Sequence, residues 1–296
     1  MDILTRLREG AVLVADGAMG TFLQAAGLPA GLPGEAWVLE RPEAVADVHR
    51  LYLEAGAELI LTCTFGGTRA RLERAGLGEH VAEVNRRAAQ VARQAAGDRA
   101  FIAGDIGPLG ELLAPLGPRT YEEAVELFFE QAAALVEGGV DLLYVETMSD
   151  LNEARAAIEA ARRAAPHLPL SVTFSFDTRG RTSMGLRPED AARALVDLGV
   201  TALGANCGRS LEMTLEAVQR MRQVAPDVPL VAKPNAGMPR LEEGRVVYDA
   251  TPEMMAGYVQ PFLDLGVRVV GGCCGSTPAH ISAIADAVRR MSQTGG

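Results

Sequence analysis

The sequence predicts an α/β fold, a single (β/α)8 (TIM) barrel that occupies residues 1–296 as one domain. Three observations support this prediction. Eight short, continuously apolar runs have the length and character of parallel strands covered on both faces. Longer amphipathic stretches separate these runs, so strands and helices alternate along the chain. The length of 296 residues also fits one barrel, which takes roughly 250 residues, and no linker rich in serine, proline or charge divides the chain.

The elements follow one another in a regular order. The predicted strands are residues 11–16, 58–62, 101–106, 142–146, 168–174, 202–206, 229–235 and 267–272. The most clearly patterned helices between them are residues 42–56, 119–139, 187–199 and 251–266. In the first of these helices one apolar stripe contains Val45, Val48, Tyr52 and Ala55. A doubly wound open sheet is the alternative fold, but its G-x-G-x-x-G turn is missing after the first strand.

Charge and composition argue against several classes of function. The chain carries 28 basic and 38 acidic residues, a formal net charge of −10, which disfavours nucleic acid or an anionic membrane as partner. No apolar run approaches the ~18 residues of a membrane-spanning helix, and Asp16 interrupts the run near the N-terminus, so no signal peptide is expected. The sequence therefore predicts a cytoplasmic protein whose cysteines bind metal or act in catalysis.

Three of the four cysteines fall at the ends of the sixth and eighth predicted strands, and the fourth, Cys63, ends the second. The active site of such a barrel lies at the C-terminal ends of the strands, and Cys207 follows the sixth strand while Cys273 and Cys274 follow the eighth. Neighbouring strand residues point to opposite faces, so both thiols of the adjacent pair reach one site only if the strand breaks there. Three glycines supply that freedom: Gly271, Gly272 and Gly275.

Three cysteines from distant positions, without an obvious fourth ligand, predict a catalytic zinc site with one open position, because soft sulfur ligands favour Zn2+. The alternatives are buried packing cysteines or a vicinal disulfide between Cys273 and Cys274. An open zinc site suits a thiol substrate. A free alkyl thiol has a pKa of roughly 8.5 and is mostly protonated near pH 7, whereas coordination removes the proton and readies sulfur for attack on carbon.

Other polar residues at strand ends are further candidates. Asp16, Asp105 and Glu146 end the first, third and fourth strands, and a carboxylate such as Glu146 after an apolar strand is expected to have a cationic partner. Lys233 is the only lysine and lies on the seventh strand, which leaves a Schiff-base aldolase as an alternative function. None of the histidines falls at a strand end, so all four are expected at the surface or in packing: His49, His80, His167 and His280.

Several motifs together resemble the homocysteine S-methyltransferase family: DGAMGT (16–21), TCTFGGTR (62–69), GDIGPLGE (104–111), GANC (204–207), PNAG (234–237) and GGCCGSTP (271–278). The resemblance extends from about residue 10 to residue 290. It implies a (β/α)8 barrel that methylates homocysteine to methionine and binds zinc through Cys207, Cys273 and Cys274. It also implies that Asp16 and Glu146 bind the amino group of homocysteine. The remaining candidate substrate contacts are Thr64, Phe65 and Asn235, the last of them near the metal.

Within the family, GDIGPLGE and PNAGMPRLEEGRVVY are most similar to the homocysteine domain of cobalamin-dependent methionine synthase. Cys63 stands where those synthases usually have asparagine, and we interpret it as a packing residue. Because eight βα units account for the whole chain, the methyl donor is expected as a separate molecule or as a partner's cofactor. The chain is then either an enzyme for a small donor or a module that presents homocysteine thiolate to methylcobalamin on a partner corrinoid protein. Betaine is less favoured, since Trp37 and Phe65 are its only candidate aromatic cage.

Overall fold

The computed structural model describes residues 3–242 and 245–294, and its central feature is a barrel of eight parallel strands. The described residues form eight barrel strands and a separate hairpin of two strands, β8 and β9. In chain order the strands are β1 (Leu13–Val14), β2 (Leu59–Leu61), β3 (Phe101–Ile106), β4 (Leu142–Met148), β5 (Leu170–Phe174), β6 (Ala202–Cys207), β7 (Leu230–Pro234), β8 (Pro239–Glu242), β9 (Arg245–Tyr248) and β10 (Val267–Val270). The sheet order is β1-β10-β7-β6-β5-β4-β3-β2, and a parallel bridge between Ala15 and Leu59 joins its two ends. The predicted (β/α)8 barrel is confirmed.

Helices cover the outside of the barrel. They are α1 (Ile3–Arg8), α2 (Gly20–Ala25), α3 (Gly34–Glu40), α4 (Pro42–Glu54), α5 (Arg69–Leu72), α6 (Val81–Ala96), α7 (Tyr121–Glu137), α8 (Leu151–Ala164), α9 (Pro188–Asp197), α10 (Leu211–Arg222), α11 (Pro252–Gly257), α12 (Val259–Asp264) and α13 (Pro278–Thr294). Side chains cap the starts of several of them, including α7 and α8. Thr120 and Glu123 form a reciprocal capping box at α7, and Asp150 caps α8.

All eight predicted strands and three of the four predicted helices are confirmed. The fourth prediction, one helix over 251–266, is wrong because the segment forms two helices, α11 and α12, that meet at Tyr258. Pro261 lacks the N–H that a continuous helix needs to pair with the carbonyl of Gly257, and its ring crowds that carbonyl. The antiparallel hairpin β8–β9 was not predicted either, and residues 243–244 of the PNAGMPRLEEGRVVY motif lie outside the described residues.

The two ends of the barrel interior differ in character. At the N-terminal end Ile3 and Leu7 of α1 pack with Leu13, Leu59 and Leu142 in one buried apolar cluster. At the C-terminal end the strands run into loops that carry the polar residues noted above. Among the described residues, no helix is both long enough and apolar enough to cross a membrane.

Candidate functional site

Three thiols meet at the C-terminal end of the barrel. The sulfur atoms of Cys207, Cys273 and Cys274 all lie within 4.8 Å of one another, and the Sγ atoms of Cys207 and Cys273 are 3.0 Å apart. Cys207 is the last residue of β6, whereas the adjacent pair lies in the loop after β10. The convergence predicted from the strand ends is therefore present in the fold.

The glycines around the cysteine pair have separate functions. A Cβ on Gly272 would lie 2.3 Å from the Oγ of Ser276, so this position is restricted by close approach. Gly275 has φ +77°, and a Cβ there would lie 2.1 Å from the ring of Tyr248. Among the three predicted hinge glycines, a left-handed conformation is present at Gly275, which turns the chain after Cys274.

The donor set fits a zinc ion. In a tetrahedral site with Zn–S bonds of about 2.3 Å, sulfur atoms are roughly 3.8 Å apart, which agrees with a group of thiols confined within 4.8 Å. Hydrogen bonds from Cys207 and Cys273 lower the pKa of the Cys274 thiol. Within the described part of the chain, this is the one group of three such side chains close enough to hold an ion.

The thiols form one side of a cavity of about 270 Å³. Four other strand-end candidates and an aromatic ring line the same space: Asp16, Asp105, Glu146, Lys233 and Phe65. A larger cavity of about 900 Å³ lies at the opposite end of the barrel, around Leu7 and Arg222, and none of the predicted site residues lines it. The cavity next to the thiols is therefore the candidate site.

A buried ion pair lies at the base of this cavity. The Nζ of Lys233 is 3.1 Å from Oδ1 of Asp16, both side chains are only 3% exposed, and Oδ2 of Asp16 accepts a hydrogen bond from Leu61 N at 2.8 Å. Burial alone lowers the pKa of Lys233, but the carboxylates of Asp16 and Glu146 outweigh it and raise that pKa. A lysine held as an ammonium has no lone pair for a carbonyl, so this geometry argues against the Schiff-base alternative.

Two further carboxyl groups face the cavity without a direct cationic contact. Among the described residues Glu146 has one polar contact, Asn206 Nδ2 at 3.4 Å from its Oε2, and burial raises its pKa to about 8, with Cys273 as the next cause. Asp105 is buried, and its Oδ1 has no hydrogen-bond partner among the described residues. Burial, followed by the charge of Glu146, raises the pKa of Asp105 well above its usual range. Both groups are therefore available to a positively charged ligand.

Two predicted substrate contacts lie beside the cavity. The Oγ1 of Thr64 donates to the carbonyl of Asp105 at 2.7 Å, and Thr64 lines an adjoining cavity of about 330 Å³. Asn235 joins the loops that carry the thiols, since its Oδ1 accepts from Cys274 N at 3.0 Å and its Nδ2 donates to Gly208 O at 2.8 Å. Their predicted roles as substrate ligands stay predictions.

Two residues noted in the sequence lie apart from the thiols. Cys63 is buried in the main hydrophobic core, and burial raises the pKa of its thiol, as expected for a packing residue. Trp37 is 3% exposed, its ring is covered by the guanidinium of Arg41 at 4.3 Å, and it does not line the cavity. The hypothetical aromatic cage of Trp37 and Phe65 is therefore wrong, because one of its two rings is already enclosed.

Sequence reasoning missed the connections between these residues. It noted Lys233 only as a nucleophile, whereas the fold pairs it with Asp16, which lies 217 residues away in the chain. It placed Asn206 at the end of the sixth strand and in GANC but gave it no role, although this side chain contacts Glu146 and the thiols. None of the four histidines is among the residues that line the cavity; His49 is packed in α4, and His280 of α13 contacts the carbonyl of Ala250.

Comparison with known proteins agrees with this geometry. Residues 13–288 match the family described as homocysteine S-methyltransferase. The methionine synthase of Mycobacterium leprae is 34% identical over 308 residues, which cover 98% of this chain and 25% of that protein. The methionine synthase of Mycobacterium tuberculosis is 33% identical over 299 residues, with 95% and 25% covered. The chain thus spans about a quarter of the length of these curated relatives.

Solved structures show the same similarity. The metallated form of the homocysteine methyltransferase MmuM from Escherichia coli superposes with a TM-score of 0.79 at 29% identity and covers 95% of this chain and 98% of that one. A dihydrodipicolinate synthase (DHDPS) from Cyanidioschyzon merolae, at 16% identity and a TM-score of 0.51, shares the barrel fold alone. The match over residues 13–288, together with the thiol site inside a (β/α)8 barrel, shows that the chain belongs to the homocysteine S-methyltransferase family.

Proposed function

We propose that this chain transfers a methyl group to the sulfur of homocysteine to form methionine, with one zinc ion held by Cys207, Cys273 and Cys274. The observation that carries the proposal is the junction, in one cavity of about 270 Å³, of three converging thiols and buried carboxyl groups. When bound, the zinc ion supplies a Lewis acid that favours the deprotonated form of the substrate thiol. Binding and orientation of the substrate depend on the chain's own side chains.

The carboxyl groups are suited to the α-ammonium of the amino-acid substrate. Asp16 already has Lys233 as its partner at 3.1 Å, whereas in the part of the chain that the structure describes Glu146 has an amide contact alone, at 3.4 Å. Burial raises the pKa of Glu146 to about 8 even though the charge of Lys233 acts to lower it, so the carboxylate form is only partly compensated. An incoming ammonium supplies further positive charge and favours the carboxylate form. We therefore assign the larger part of amino-group recognition to Glu146 and a supporting part to Asp16.

The transfer itself is a displacement at carbon. The homocysteine sulfur, whose thiol proton has passed to solvent, forms a bond to the methyl carbon while the bond between that carbon and the donor breaks. The donor leaves with the bonding electron pair, and methionine is released as a neutral thioether. Phe65 and Met19 line the same cavity and limit water around the sulfur, which preserves its nucleophilicity.

A second candidate function differs only in the source of the methyl group. The curated relatives are about four times as long as this chain, and they are methionine synthases. This length difference favours a chain that presents homocysteine to methylcobalamin on another domain or on a partner corrinoid protein. We also propose a cytoplasmic location, which is supported by four cysteines that are all free of disulfides.

A donor screen tests both candidates. The chain is incubated with homocysteine, stoichiometric zinc and, in separate reactions, S-methylmethionine, S-adenosylmethionine, betaine or free methylcobalamin, and methionine is measured. Turnover with methylcobalamin alone supports the module, whereas turnover with a sulfonium donor supports an independent enzyme. If no donor yields methionine and calorimetry detects no homocysteine binding, the proposed function is wrong.

A further inference from the structure

The end of β4, which carries Glu146, is irregular. The pairing of β4 with β5 runs regularly to Val145 and then shifts before it resumes at Met148 opposite Phe174. Thr147 lies inside this irregularity with φ +61°, a left-handed conformation that is unfavourable for a β-branched residue. A bulge of this kind re-aims the neighbouring side chain. The direction of Glu146 therefore depends on whatever holds Thr147 in place.

Asn206 holds Thr147 through both ends of its carboxamide. Its Oδ1 accepts a hydrogen bond from Thr147 N at 2.9 Å, and its Nδ2 contacts Thr147 Oγ1 at 2.6 Å. The same Oδ1 also accepts from the hydroxyl of Thr173 at 2.7 Å, which fixes the orientation of the amide. Asn206 is 1% exposed, so these bonds form without competition from bulk solvent.

The nitrogen of the same amide faces the thiol site. It lies 3.4 Å from Oε2 of Glu146 and 3.8 Å from the Sγ atoms of both Cys207 and Cys273. Cys207 directly follows Asn206 and is itself left-handed, with φ +57°. An amide N–H directed at a thiolate stabilises its negative charge, and such outer contacts orient metal ligands. One side chain thus borders both the candidate ammonium site and two of the three thiols.

We infer that Asn206 is a positioning residue that couples the homocysteine amino-group site to the thiol site. It keeps Thr147 in the conformation that directs Glu146 into the cavity. One of its two amide hydrogens pairs with Thr147 Oγ1, and the other is directed toward Glu146 and the sulfurs of Cys207 and Cys273. This inference rests on the proposed function. It assigns Asn206 two separable contributions, one through the backbone of Thr147 and one through its amide nitrogen.

Variants separate the two contributions. Asn206→Ala removes both, and we expect about a tenfold to hundredfold loss in zinc affinity, the usual range for an outer-shell partner, together with a higher KM for homocysteine. Asn206→Asp keeps an acceptor for Thr147 N but replaces the N–H donor by negative charge, so zinc affinity falls while the backbone of Thr147 keeps its partner. Adding Thr147→Gly to Asn206→Ala removes the conformational cost at residue 147 and should recover part of the KM but none of the zinc affinity.

The matched control is Asn85→Ala, because Asn85 is another buried carboxamide. Its side chain donates two hydrogen bonds to backbone carbonyls. Zinc affinity is measured by competition with a chelator and amino-acid recognition by calorimetry of methionine binding to the zinc-free chain, neither of which depends on turnover, while the KM is measured from methionine formation. We expect Asn85→Ala to lower stability and to leave both binding readouts at wild-type values. If Asn206→Ala keeps the zinc affinity and the KM of wild type, the inferred role of Asn206 is wrong, whereas the proposed function is unaffected. A wild-type chain that binds neither methionine nor homocysteine would overturn the proposed function and this inference together.

Discussion

The same strands bury apolar side chains at one end of the barrel interior and polar side chains at the other end. Leu13 at the start of β1 and Leu142 at the start of β4 are packed in the apolar cluster that α1 closes. Three and four residues further along, Asp16 and Glu146 are just as buried but carry carboxyl groups. Apolar packing stabilises the first end, whereas the second end buries polar groups that cost stability unless a ligand or an ion pair compensates them. Substitutions at the first end should therefore change stability, and substitutions at the second should change function.

The largest expected effect tests the functional end. Replacing Cys207 or Cys273 by alanine should abolish methionine formation and zinc binding, while the circular dichroism spectrum and the midpoint of unfolding stay close to wild type. Cys63→Ala is the control, because this thiol lies in the hydrophobic core, and it should retain zinc. Full zinc occupancy in a Cys207→Ala/Cys273→Ala double variant would refute the ligand assignment.

The converse substitution tests the structural end. Leu142 is 2% exposed, so Leu142→Ala should lower the free energy of unfolding by about 2–5 kcal/mol, the usual cost of a buried leucine. Urea denaturation measures this loss, and the KM for homocysteine should not change. Leu116→Ala, at a side chain that is 68% exposed, should change stability by less than about 0.5 kcal/mol. A large shift in KM with no loss of stability in Leu142→Ala would contradict the division between the two ends.

A third experiment asks what a buried polar group costs away from the site. His49 of α4 is buried, both ring nitrogens lack hydrogen-bond partners among the described residues, and burial lowers its pKa from 6.5 to about 4. Because the pKa of His49 is lower in the folded than in the unfolded chain, protonation favours unfolding. The free energy of unfolding therefore has its full value above pH 6.5 and decreases as the pH falls toward 4. At 1.36 kcal/mol per pKa unit the loss approaches about 3 kcal/mol. Urea denaturation measures how far the free energy of unfolding falls between pH 7 and pH 4. This decrease should be smaller in His49→Leu than in wild type by about 3 kcal/mol.

The smallest predicted effect concerns recognition of the substrate. Glu146→Gln should weaken homocysteine binding by about 1.5–3 kcal/mol, the usual value of a hydrogen bond to a charged group. Calorimetry measures this directly. Glu153→Gln is a matched control, since Glu153 is also a buried carboxyl group but pairs with Leu109 N, and it should bind homocysteine as wild type does. Unchanged affinity in Glu146→Gln would remove Glu146 from the amino-group site.

The parts of the molecule that the sequence predicted are those governed by local pattern. Continuous apolar runs indicated the strands, and the rule that barrel sites lie at strand ends brought Cys207 together with the Cys273–Cys274 pair. The Lys233–Asp16 ion pair was missed because it depends on how β1, β10 and β7 align in the closed barrel, which no local pattern encodes. The left-handed Thr147 was missed for the same reason, since its partner belongs to another strand.

The contact between Gly275 and Tyr248 has a consequence for the turn after Cys274. The ring of Tyr248, at the end of the hairpin, occupies the space that a side chain at 275 would need, and burial raises the pKa of that tyrosine to about 12. The ring of Tyr248 in the hairpin therefore packs directly against the turn after Cys274. Any residue larger than glycine at 275 would displace the ring of Tyr248 and thereby expose the turn that follows Cys274.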